Sequence, residues 1–145
     1  ERESFPIAIF RLPGVYGGGD GDRSIIARFY KQNIEAGEIT LFSNVLRDYV
    51  YVNDLCELIF ENIMSPRQGI FNVATEEGLL LEHIAGLIIK ASHTRSKIVF
   101  IPEKASATET GDLKFDITYL KENFHSWRPK SIAEGIALFL RTINR

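Results

Sequence analysis

Cysteine is almost missing from this 145-residue chain. Cys56 stands alone, so no internal disulfide can form and a reducing compartment is the expected setting. The histidines are few and scattered. His83, His93 and His125 make no i, i+4 pair with a third ligand nearby, so no metal site is expected. His83 and His93 read as helix-surface residues and His125 as a loop residue. No apolar run approaches the roughly 20 residues needed to span a bilayer. The opening Glu1-Arg-Glu-Ser-Phe-Pro is charged, unlike a secretory signal. A surplus of one charge is lacking as well. The formal net charge is −2, which leaves no global electrostatic reason to expect a nucleic acid or an anionic membrane as partner. An initiating methionine is also absent, and an excised segment is the expectation. These absences point to a soluble, cytoplasmic protein.

Hydrophobic residues make up 45% of the chain and charged residues 25%, the balance of an ordinary globular domain, so residues 1–145 are read as one domain. Pro6 to Phe10 is a near-continuous apolar run, the pattern of a strand covered on both faces. Its sheet neighbours do not precede it, so Ile7, Ile9 and Phe10 are expected to be exposed. Ser24 can cap a helix to about Glu35, with Ile26, Tyr30 and Ile34 inward, Ile25 and Phe29 beside them, and Gly37 as the stop. Ile39–Phe42, Tyr49–Val52, Ile70–Val73 and Lys97–Ile101 read as short strands. Asp54 with Glu57 resembles a capping box opening a helix with Leu55, Leu58, Ile59 and Ile63 inward. Further helices are expected from Leu81 to Ser92, from Thr118 to Phe124, and from a Ser131/Glu134 cap to the end. Residues 103–112 are polar and small, and read as a mobile segment. The alternation is that of an α/β fold without repeats.

Most catalytic patterns are missing. Gly17-Gly-Gly-Asp-Gly-Asp fits neither G-x-x-x-x-G-K-S/T nor G-x-G-x-x-G, and its aspartates would repel phosphate, so it reads as a turn before a helix. No G-x-S-x-G elbow is present. Asp20 and Asp22 read as solvated turn formers rather than a glycosidase pair. Arg47-Asp48 is different, because it sets a permanent charge between two apolar strands. Two readings stay open: a guanidinium fork for phosphate oxygens, or an ion pair with Asp48 or another carboxylate.

Several segments taken in order resemble one family. Arg11-Leu-Pro-Gly-Val-Tyr-Gly, Ile39-Thr-Leu-Phe, Arg47-Asp-Tyr-Val-Tyr-Val-Asn-Asp-Leu, Phe71-Asn-Val-Ala and Ser126-Trp-Arg-Pro-Lys-Ser-Ile-Ala-Glu-Gly-Ile are similar to the NAD-dependent epimerase/dehydratases among the extended short-chain dehydrogenases. The resemblance covers essentially the whole chain. It implies the C-terminal, substrate-binding lobe of a Rossmann-type enzyme, with the last strands of a parallel sheet whose remainder lies upstream. The family's G-x-x-G-x-x-G and Tyr-x-x-x-Lys are absent. Tyr16, Tyr30, Tyr49, Tyr51 and Tyr119 are followed four positions later by Asp20, Ile34, Asn53, Leu55 and Asn123.

Carried over position by position, Pro13 falls where the family's loop brushes the nicotinamide of NAD or NADP. Gly14 falls where many members have a substrate-contacting asparagine. Thr40 and Phe42 match positions that cradle a nucleotide base, Ile25 and Ile26 lie near the helix closing that pocket, and Arg47 matches the arginine on the diphosphate. Three departures accompany these matches. Gly18 replaces a proline, the stretch from Phe42 to Arg47 is about two residues short, and Glu109 stands near the place of a second phosphate arginine. The resemblance implies a nucleotide-sugar substrate, an intact protein that dimerises, and a chain not catalytically competent alone. Two alternatives remain: a reductase of a hydrophobic carbonyl compound, and a non-catalytic structural or RNA-binding relative.

Overall fold

The computed structural model describes residues 7–19, 21–102 and 111–143; Pro6, Asp20, Glu109 and most of the polar 103–112 segment lie outside them. Two strands come first, β1 (Ala8–Arg11) and β2 (Gly14–Tyr16), followed by helix α1 (Ile25–Glu35) and strands β3 (Glu38–Leu41), β4 (Leu46–Arg47) and β5 (Tyr49–Tyr51). Helix α2 (Val52–Met64), β6 (Gly69–Asn72), β7 (Leu79–Leu80), α3 (Leu81–Ala91) and β8 (Lys97–Phe100) continue the chain. It closes with α4 (Thr118–Asn123) and α5 (Ile132–Ile143). Three strand pairs are parallel: β1 with β6 (Ala8 opposite Gly69), β2 with β5 (Gly14 opposite Tyr49) and β3 with β8 (Glu38 opposite Lys97). β4 and β7 run antiparallel. Parallel pairing needs a crossover connection, and α1 lies in the one between β2 and β5.

β5 separates two apolar cores. Its three residues are all buried, and alternate side chains leave a strand on opposite sides. Tyr49 and Tyr51 join Tyr16, Ile26, Phe29, Ile84, Ile88, Ile136 and Phe139 in a core shared by α1, α3 and α5. Val50 joins Leu55, Leu58, Phe71, Leu120, Phe124 and Trp127 in a second core under α2 and α4. Rings meet at the second core: Phe71 contacts Phe124 edge-on at 5.1 Å and stacks on the exposed Tyr119 at 5.2 Å.

The helix ends follow their sequence signals. Ser24 accepts from the Ala27 N–H, and Gly37, with φ of 64°, follows the Ala36 C-cap. Ser131 and Glu134 form a reciprocal capping box at α5: Glu134 accepts from the Ser131 N–H at 2.9 Å, and Ser131 Oγ accepts from the Glu134 N–H at 3.2 Å.

Four expectations need correction. α1 turns Ile26, Ala27, Phe29 and Asn33 inward, and Ile34 is exposed; Asn33 takes the inward place by accepting from Thr94 Oγ1. Asp54 does not cap α2, which starts two residues earlier. Its buried carboxylate accepts instead from the Lys130 N–H and Nζ, at 2.8 and 2.6 Å, and ties α2 to the approach to α5. On α2 only Leu55 and Leu58 of the expected set are buried, while Ile59 and Ile63 face outward with Phe60 and Met64. The helix is apolar around more of its circumference than the second core covers. His93 lies past the end of α3 in a left-handed conformation, φ 55°, rather than on the helix. Ile7 and Ile9 are exposed as expected; Phe10 is half-buried, its ring 5.7 Å from that of Phe71.

α5 approaches β2 closely because Gly135 has no side chain. A Cβ at Gly135 would meet the Tyr16 hydroxyl and lie 2.9 Å from Tyr16 Cζ and 3.3 Å from Tyr51 Cβ. Gly135→Ala is therefore expected to cost about 1–3 kcal/mol in urea unfolding through overpacking. Tyr16→Phe, which removes the hydroxyl, should relieve part of that cost. An unchanged midpoint in Gly135→Ala would contradict the packing described.

Candidate functional site

The site residues gather where β2, β4 and β5 meet the N-terminal half of α1. Gly14 and Val15 of β2, Arg47 of β4, Tyr49 of β5, and Arg23, Ser24, Ile25 and Arg28 line a cavity of about 410 Å³, completed by Ser43 and Leu81. A smaller, more enclosed pocket of about 60 Å³ adjoins it, lined by Ile25, Arg28, Phe29, Gln32, Thr40, Leu41, Phe42, Ser43 and Leu81. The two share Ile25, Arg28, Ser43 and Leu81, so they form one cleft with a narrow and a wide part. Together they are in the size range of small-molecule sites.

Local geometry explains how each group is held. Thr40 donates its N–H to Gln32 Oε1 at 3.0 Å, which locks the outer edge of β3 against α1. Gly14 pairs with Tyr49 across the β2–β5 ladder, and a Cβ there would collide with the Tyr49 ring. That ring fills the space a larger residue at position 14 would need, so no amide side chain fits beside it. Arg47 Nη1 donates to two backbone carbonyls, Leu46 at 2.9 Å and Gly111 at 2.6 Å. No carboxylate pairs with it among the described residues. Asp48, the acid beside it in sequence, points the other way. It is buried, accepting from Thr75 N–H, from Thr75 Oγ1 at 2.6 Å and from Glu76 N–H at 2.9 Å. The guanidinium is thus braced on one side by carbonyls and left with donors for the cleft.

The structure brings together Gly14, Ile25, Thr40, Phe42 and Arg47. Pro13, half-buried after β1, lines neither part of the cleft. Ile26 is fully buried in the core and does not reach it. Glu109 lies outside the described residues. Two cleft residues were not singled out in the sequence, Arg23 and Arg28. Arginines on an amphipathic helix read as solvated surface, and only the i, i+3 spacing from Ile25 to Arg28 signals a shared face. With them three arginines line the cleft, and among the described residues no acid does.

A cavity of about 550 Å³ elsewhere offers a contrast. It is lined by Lys121, Arg128, Glu76, His125 and Trp127 among others, but Lys121 pairs with Glu76 and Arg128 donates to the carbonyls of His125 and Trp127. Unlike the cleft, it sets a carboxylate, Glu76, among its cations. Among the described residues no group of three or more metal-ligating side chains occurs, and no helix is long and apolar enough to cross a membrane.

Parallel strand pairs combined with helices, and a cleft opening at the start of β2, define an α/β fold of the Rossmann type. The chain belongs to the NAD dependent epimerase/dehydratase family, whose sequence model matches residues 1–74, just over half of its length. Solved structures with this fold include UDP-glucose 4-epimerase of Thermotoga maritima with UDP-glucose, at 24% identity and TM-score 0.80 over 94% of this chain and 45% of that one. UDP-glucose 4-epimerase of Thermus thermophilus, in complex with NAD, matches at 25% identity and TM-score 0.75 over 94% and 46%. ADP-L-glycero-D-manno-heptose-6-epimerase of Helicobacter pylori matches at 18% identity and TM-score 0.81 over 96% and 45%. The chain thus spans slightly less than half the length of these structures.

Burial pushes the Tyr49 phenol up to about 12, against the opposing pull of the Arg47 and Arg28 charges. Its folded pKa lies above the ordinary phenol value of about 10, so the fold favours the protonated ring. That contribution is complete below about pH 10 and is lost as pH rises to about 12. Urea unfolding across this window should show Tyr49→Phe losing about 2 kcal/mol less stability than the unaltered chain. Equal losses would mean that the ring is not buried as described.

Proposed function

We propose that this chain holds a nucleoside-diphosphate sugar for an NAD(P)-dependent epimerase or dehydratase. The observation that carries this reading is a cleft lined by three arginines and, among the described residues, by no acid, joined to a pocket edged by Thr40 and Phe42. A nucleotide sugar has that layout: a flat base, then a dianionic diphosphate, then a polar sugar. In this reading Phe42 packs on the base beside the β3 backbone at Thr40. Arg47, braced by the Leu46 and Gly111 carbonyls, takes phosphate oxygens with its remaining donors. Ile25 closes the pocket from α1, and Gly14 lets the sugar approach the backbone.

The family is NAD dependent, but the described residues do not build a dinucleotide cradle. Gly19 and Gly21 face open space, and Asp22 is paired with Lys31 in the same turn. Pro13 is proposed only as an edge contact to the nicotinamide. The groups that move hydride and proton are assigned to chain outside this sequence. The part played here is to bind and orient the substrate at a distance from the reacting carbon. An apolar carbonyl substrate would leave the three guanidinium groups without a partner, which disfavours a reductase of that type.

Calorimetric titration tests the reading. The chain is expected to bind UDP-glucose or its ADP or GDP counterpart, and Arg47→Ala should weaken binding about 10- to 100-fold, the effect of one charged hydrogen-bonding group. NAD alone should bind weakly. Indifference to Arg47→Ala, or micromolar binding of NAD, would overturn the assignment.

A further inference from the structure

A diphosphate diester carries two negative charges, yet three guanidinium groups line the cleft. Their positions are not equivalent. Arg28 lines both the narrow and the wide part, at the junction of base pocket and phosphate cavity. Arg47 lines the wide part and is fixed by two carbonyls. Arg23 lines the wide part only, together with Gly14, Val15 and Tyr49. None of the ion pairs among the described residues engages Arg23 or Arg28. Asp22, adjacent in sequence, is held by Lys31.

Three cations in one cleft, none of them ion-paired among the described residues, repel one another, and an arrangement of that kind is favourable when the ligand brings matching charge. Arg28 and Arg47 suffice for the two phosphates. Gly14, where the Tyr49 ring excludes any side chain, offers no amide to the sugar, so recognition at that end falls to Arg23. We infer that the glycosyl group of the substrate is itself acidic, and that Arg23 receives its carboxylate as a guanidinium–carboxylate pair. This inference rests on the nucleotide-sugar reading and narrows it to nucleotide uronates or similarly acidic sugars.

The probes are matched pairs that differ only at the sugar: UDP-glucose against UDP-glucuronate, and GDP-mannose against GDP-mannuronate, titrated into the full chain. The acidic member of at least one pair is expected to bind ten times or more tighter than the neutral one. Arg23→Gln should erase that preference, weakening the acidic member at least ten times more than the neutral one. Arg23→Lys, which keeps the charge, should retain part of it. A merely structural role for Arg23 would weaken both members alike, and that result overturns the inference. Equal binding of acidic and neutral members by the unaltered chain also overturns it while leaving the nucleotide-sugar reading intact. Binding of no probe overturns both. A preference that survives Arg23→Gln removes Arg23 as the receptor.

Discussion

The site depends on where one buried carboxylate is anchored. Among the described residues no cation pairs with Asp48. Its oxygens accept instead from the consecutive N–H groups of Thr75 and Glu76 and from the Thr75 hydroxyl. Glu76 adopts a left-handed φ of 64°, and this turn lets neighbouring amides converge on one anion. A buried carboxylate so satisfied is costly to displace, because any shift leaves it or its donors unpaired. Asp48 therefore fixes the register at which β5 begins. Side chains alternate along an extended segment, so holding Asp48 inward turns Arg47 toward the cleft. The two residues that the sequence leaves as a possible ion pair thus divide their tasks, with the acid satisfied by backbone and the base by carbonyls.

From that anchor the two cores follow. Tyr49 and Tyr51 project into one and Val50 into the other, so β5 is the wall they share. Aromatic rings on such a wall need facing positions with little bulk. Gly14 supplies one for Tyr49, and Gly135 supplies one for Tyr16 on the neighbouring strand. α1 is seated against the same core through Ile26 and Phe29, and Ile25 and Arg28 then reach the cleft from its adjacent face. The guanidinium groups are thus brought together from β4 and from the start of α1 by packing remote from them.

Much of this was legible in the sequence, for identifiable reasons. Caps are local: Ser24 with Gly37, and Ser131 with Glu134, work within one turn of their helices, and the structure keeps them. Short apolar runs gave the strands, because β-strands need only a few residues to declare themselves. The misses share another cause. Periodicity says which residues are apolar, not which arc of a helix will find a neighbour. α1 buries Asn33 and exposes Ile34 because Thr94 and Ser96 offer Asn33 hydrogen bonds. α2 exposes Ile59 and Ile63 because its core ends at Leu58. Asp54 matched a local capping pattern, but its partner is Lys130, 76 residues away, which no local pattern can reveal. Arg23 and Arg28 escaped notice likewise: a cleft arginine differs from a surface arginine only in what stands opposite.

The exposed apolar residues have a bearing on the cleft. A two-stranded parallel pair is a marginal element alone, and β1–β6 leaves Ile7, Ile9 and Ile70 exposed. In open α/β sheets, ligands sit beyond the carboxyl ends of the strands. β1 runs toward Pro13 and Gly14, and Gly14 already lines the cavity. An extended chain advances about 3.3 Å per residue, so Ile9 lies within roughly 17 Å of Gly14 along β1. Ile9 lies opposite Ile70, so the two form an apolar strip on one face of the strand pair, within that distance of the residue that opens the cleft.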